Sequence, residues 1–182
     1  MNKVKSLFAA TKLKQEFARR RTKLYRVAYS WCHNASLADD LVQETMLKAL
    51  KNAERLKNHA TLDTWLYIIL LNNWHDYLRV KGRDVELFDV GDDEQNSHSD
   101  NYQQSQIIHR VRSSIEKLPM SLREVVTLAD FACFSYAEIS EILDIPIGTV
   151  MSRLYRAIQI LKEQLLDLAG DGGVPIRLKR VK

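Results

Sequence analysis

Residues Thr149, Ser152, Arg153 and Arg156 recur at helical spacing, with Met151 and Tyr155 beside them. Hydroxyls and guanidinium groups near a helix start suit one chemistry, the major groove of duplex DNA. Arginine reads guanine edges or holds phosphate, while serine, threonine and helical N–H groups take phosphate oxygens. The complementary positions Val150, Leu154, Ala157 and Leu161 are apolar and predict a buried stripe on the same helix. Ahead of them, Ser135 and Glu138 form an S-x-x-E capping box, so a shorter helix starts near Tyr136. Asp144-Ile145-Pro146 ends it, because the residue before proline is pushed out of the helical region. Gly148 is expected to let the chain turn back. The order matches a helix-turn-helix with its recognition helix second. The plain alternative is a helical hairpin with solvated arginines.

A second candidate set is Asp39, Asp40 and Glu44. As a nuclease's metal ligands they lack an accompanying histidine or strand-end acid. The five histidines and the two cysteines, Cys32 and Cys133, make no ligand-spaced cluster, so no metal or cofactor is expected and no enzyme. Lone cysteines suit small core positions in a reducing cytoplasm.

The elements that must position these residues are helical. The 182 residues include 6 Gly and 3 Pro, and the apolar spacing is helical almost throughout, which predicts an all-α fold. Leu13, Phe17, Leu24, Val27, Ala28 and Trp31 share one helix face, which ends near Cys32-His33-Asn34. Ser36 is expected to cap the next helix, with Asp39 and Asp40 in its first turn, where the helix dipole favours anions. That helix is expected to bury Leu41, Val42, Thr45, Met46 and Ala49. Asp40, Gln43, Glu44 and Leu47 then face outward. A third helix, about Leu62 to Lys81, is rich in aromatics, and Trp65 and Trp74 are expected in its core rather than as stacking platforms.

Charge divides the chain. Residues 1–81 carry 15 basic and 7 acidic side chains, residues 82–106 carry 1 and 7, and residues 107–182 carry 11 and 9. Two basic ends around an acidic middle suggest a polyanion held at two places. The middle segment has almost no apolar content and reads as a flexible linker. Helical spacing resumes from Ile107. The tail, 169–182, is expected to fray. WLYIILL, the most apolar window, falls far short of the roughly 20 residues that span a bilayer, so no membrane insertion is expected.

The stretch LPMSLREVVTLADFACFSYAEISEILDIPIGTVMSRLYRAIQIL resembles the promoter-binding domain of bacterial sigma factors of the extracytoplasmic-function type. LYRVA, ADDLVQETMLKAL and TWLYIILLNNWHDYLR resemble the same family's N-terminal domain, through Trp65, Leu66, Ile69, Asn72, Asp76 and Arg79. The resemblance implies a transcription initiation factor in two helical domains. Residues 1–81 would bind core RNA polymerase and open the minus-ten element, and 107–168 would read the minus-thirty-five element.

It further implies that Asp40, Gln43, Glu44 and Leu47 dock on the clamp helices of polymerase's largest subunit. Asn58, His59, Thr61, Trp65, Asn72, Asn73 and Arg79 would lie at the melted strand. Thr149, Met151, Ser152, Arg153, Tyr155 and Arg156 would meet the upstream duplex. Expected partners are core polymerase (clamp helices and flap), promoter DNA and an anti-sigma factor. Three positions depart from the family: Met151 where lysine or arginine is usual, Ile68 where a basic residue is common, and Leu70 where a small one is. A stand-alone helix-turn-helix regulator is the rival; it predicts a ligand pocket or phosphoacceptor, which residues 1–81 do not suggest.

Overall fold

The computed structural model describes residues 2–53, 61–81 and 102–170, with side chains over 15–53, 61–81 and 109–165. It divides into two units, Met1–Asp89 and Val90–Lys182.

The first unit packs α1 (Asn2–Cys32), α2 (Ala35–Lys51) and α3 (Leu62–Lys81) against one another. Each contributes one apolar stripe to a shared core. Leu24, Val27 and Trp31 come from α1, Val42 and Ala49 from α2, and Leu62, Leu66 and Leu70 from α3. Each large side chain so buried contributes about 1.5–3 kcal/mol. Phe17 and Ala28 join this core as expected, and Met46 is only half-buried. The α1 helix begins well before the apolar spacing that predicts it, at Asn2.

The cap of α2 differs from expectation. Asn34, not Ser36, has the extended backbone of an N-cap, and its side chain accepts the Leu37 N–H at 2.8 Å. Both residues are good caps. His33, at φ 50°, ends α1 and hands the cap to the residue that follows. The shift leaves no acid in the first turn of α2. Asp39 is engaged instead by Arg21 of α1 at 3.0 Å.

The second unit comprises α4 (Tyr102–Glu116), α5 (Met120–Asp130), α6 (Tyr136–Leu143) and α7 (Ile147–Gly170). The α4 helix starts inside the stretch expected to be linker, and α7 runs into the expected tail. All three other helices contact α7. Its stripe Val150, Leu154, Ala157 and Leu161 is buried as its spacing predicts, against Leu128, Ile139 and other apolar groups of the unit. Pro119 separates α4 from α5, and the carbonyls left open there are closed by one side chain. The Arg123 guanidinium donates to Leu118 O at 3.0 Å and also to Glu116 O.

The turn into α7 was legible only in part. The capping box is present: Ser135 N–H donates to Glu138 Oε2 at 2.8 Å, and Glu138 N–H to Ser135 Oγ at 3.3 Å. The left-handed residue of the turn is Asp144, at φ 51°, rather than Gly148. Ile145 N–H donates back to Ser140 O at 3.2 Å, and Ser140 Oγ donates to Ile145 O at 2.6 Å. Those two bonds close α6 before proline forces the chain out.

Candidate nucleic-acid and partner interfaces

Asp40, Gln43, Glu44 and Leu47 are all exposed along one side of α2, opposite its buried Leu41, Val42, Thr45 and Ala49. Leu47 is 50% exposed, a large apolar group held in water between polar neighbours. Such a stripe, apolar with acids beside it, can meet a basic partner helix. Asp40 and Glu44 also line a cavity of about 380 Å³ with Leu37, Leu41, Lys48, Asn73, Asp76 and Tyr77.

A second cavity, about 350 Å³, lies between α2 and α3 and is lined by Lys48, Asn52, Trp65, Ile68, Ile69, Asn72 and Asn73. Trp65, Ile68 and Ile69 supply its apolar lining, and Asn52, Asn72 and Asn73 its amides. Trp65 is half-buried there, whereas Trp74 is in the core, stacked on Tyr77 with ring centroids 5.8 Å apart. Asn72 is exposed. Asn73 is buried, and its amide is committed: Nδ2 donates to Thr45 Oγ1 at 3.0 Å, and Oδ1 accepts from Lys48 Nζ at 2.5 Å. Asn73 therefore fixes Lys48 rather than offering a free amide. Ile68 lines this cavity half-buried, and Leu70 is fully buried in the core.

Thr61 is exposed just before α3. Arg79 is exposed in the last turn of that helix and pairs with Asp76. Asn58 and His59 lie outside the described residues. Sequence reasoning missed Lys48 and Asn52. Lys48 follows Glu44 by four residues, a spacing that places both on one face, and the two approach to 3.7 Å. Asn52 is the C-cap of α2.

On α7, Ser152, Arg156, Met151 and Tyr155 are exposed, with Thr149 and Arg153 half-buried beside them. Ser152 Oγ donates to Thr149 O at 3.0 Å. No ion pair holds Arg153 or Arg156 among the described residues. All six expected groups thus lie on the first three turns of one helix, off its buried stripe. Two uncompensated cations beside exposed hydroxyls form a surface that can accept phosphate and base edges.

Among the described residues, no group of three or more His, Cys, Asp or Glu could hold a metal ion. None of their helices is long and apolar enough to cross a membrane.

Comparison with known proteins identifies the family. The family described as sigma-70 region 2 matches residues 17–84, and sigma-70 region 4 matches residues 108–161. The chain is 32% identical over 141 residues to the ECF RNA polymerase sigma-E factor of Haemophilus influenzae, covering 71% of this chain and 75% of that one. It is 36% identical over 148 residues to the ECF sigma factor EcfG of Rhodopseudomonas palustris, covering 80% and 81%. Among solved structures, it is similar to the sigma factor RpoE of Bartonella quintana in complex with the anti-sigma factor NepR. The TM-score there is 0.71 at 28% identity, covering 85% of this chain and 97% of that one. CnrH, in complex with the cytosolic domain of CnrY, gives a TM-score of 0.61 at 25% identity over 85% and 86%. With both family regions present in order and relatives matched over most of their length, this chain belongs to the extracytoplasmic-function sigma factors of bacterial RNA polymerase.

Proposed function

We propose that residues 1–81 form the domain that joins core polymerase and opens the minus-ten element, and that 107–168 form the domain that grips the minus-thirty-five element. The observation that carries this division is the pair of family regions, 17–84 and 108–161, in one chain and in that order. Asp40, Gln43, Glu44 and Leu47 dock on the clamp helices of the largest subunit, and the second domain lies at the flap. The cavity rimmed by Asn52 and Asn72, with Trp65 in its wall, receives an unstacked base of the melted strand. Arg79 and Thr61, with Asn58 and His59 ahead of α3, serve the same strand. Thr149, Met151, Ser152, Arg153, Tyr155 and Arg156 meet the upstream duplex. The acidic linker occupies the polymerase channel as a mimic of nucleic acid.

The factor performs no chemistry of its own; polymerase does, and this subunit supplies specificity and strand opening. It works in the cytoplasm, and an anti-sigma factor holds it until a signal arrives, as the complex of the similar sigma factor RpoE with the anti-sigma factor NepR suggests. The test is co-purification of the tagged chain with core enzyme, followed by footprinting of the assembly on the cell's own promoters. Two protected zones separated by a promoter spacer are expected. Protection of one duplex site without polymerase would favour a stand-alone regulator instead.

A further inference from the structure

Six large apolar side chains are exposed among the described residues, and three of them follow one another along α7. Ile147, Met151 and Tyr155 are 48%, 54% and 65% exposed and lie four residues apart, so they form one continuous edge. A single exposed apolar group needs no explanation, whereas a run of them marks a contact. The edge borders Ser152 and Arg156, both exposed, and no acid of the described residues pairs with Arg153 or Arg156.

That combination, an apolar strip beside uncompensated cations at the start of a helix, complements one surface best. Phosphates flank the major groove, and thymine alone among the four bases carries a methyl group there. Methionine has no hydrogen-bond donor for the N7 and O6 acceptors of guanine, so guanine beneath it would be desolvated without a partner. Its flexible thioether packs instead on a methyl.

We infer that Met151 is a specificity-determining residue of the upstream interface and selects thymine, through its 5-methyl group, at the base pair it meets. The inference rests on α7 being the recognition helix, and deepens that reading by naming the base.

The test uses the full chain assembled with core polymerase, first to select upstream duplexes from a randomised pool. Each thymine of the selected site is then replaced in turn by deoxyuridine, which removes only the methyl. At one position, binding should weaken roughly fourfold, the value of about one buried carbon. Met151→Ala should abolish that loss, Met151→Leu should keep it, and Met151→Arg should shift the selected base there to guanine. Equal binding of thymine and uracil duplexes at every position would overturn the inference and assign the edge to a protein contact. So would a methyl dependence that persists in Met151→Ala. A holoenzyme that selects no upstream sequence at all would overturn the function itself, a separate and recognisable result.

Discussion

The Lys48 ammonium donates to Asn73 Oδ1 at 2.5 Å, tying α2 to α3 in the wall shared by two cavities. Asn73 in turn donates to Thr45 Oγ1 at 3.0 Å, and Thr45 donates to Leu41 O at 2.7 Å. The chain of bonds reaches from the exposed acid Glu44, 3.7 Å from Lys48, down into the core. Asn73→Leu should therefore cost about 1–3 kcal/mol, because it removes both the donor to the buried Thr45 oxygen, which keeps only its own bond to Leu41 O, and the ammonium's acceptor. Lys48→Met should cost less, about 1 kcal/mol, because it leaves a single acceptor, Asn73 Oδ1, without its donor beside the two cavities. Denaturant unfolding of the two variants measures the difference.

The outward stripe of α2 separates docking from folding. Asp40→Arg and Glu44→Arg replace exposed side chains, so the circular dichroism spectrum should not change and stability should move by no more than about 0.5 kcal/mol. Co-purification with core polymerase should fall by an order of magnitude or more, because each change places a like charge against a basic partner. A loss of helicity in step with the loss of binding would contradict the assignment.

Upstream contacts should fail in a graded way. Arg153→Ala and Arg156→Ala should each weaken holoenzyme binding to the upstream element by about 1–3 kcal/mol. The variant that loses a base contact should relax sequence preference, while one that loses a phosphate contact should weaken all duplexes alike and flatten the salt dependence. Gel-shift titrations at two salt concentrations distinguish these outcomes.

Gly148 has no structural need to be glycine. It is exposed, its φ is not in the left-handed region, and a Cβ added there would meet nothing within 4 Å. Gly148→Ala should leave stability unchanged or raise it by up to about 1 kcal/mol, since glycine is the poorer helix former. If a DNA backbone approaches the start of α7 closely, the same change should weaken upstream binding. Thermal unfolding and gel shift on one preparation test both halves.

Much of this was legible because local signals agreed. The α3 helix spans Leu62–Lys81, as its periodicity predicts, and the Ser135–Glu138 capping box and the α7 stripe are read directly from spacing. The misses share a cause, competition between equivalent local choices or pairing across distance. Asn34 and Ser36 are both competent caps, and only the backbone of the preceding turn decides between them. Asp144 takes the left-handed position although a glycine lies four residues on. The first residues of α1 are basic and weakly patterned, so no stripe announces them. Lys48 and Asn73 are 25 residues apart, and no spacing rule joins them. For the same reason Asn73 was expected at the DNA surface, where its residue type fits, although the fold commits its amide inward.

The central claim is that this chain gives core polymerase a promoter preference, and run-off transcription tests it most directly. Core enzyme plus the purified chain, on a pool of the cell's own promoter fragments, should yield discrete transcripts that are absent with core enzyme alone. Those transcripts should disappear with Glu44→Arg and fall with Arg156→Ala. Transcription unchanged by adding the chain, together with no association with core enzyme, would contradict the account.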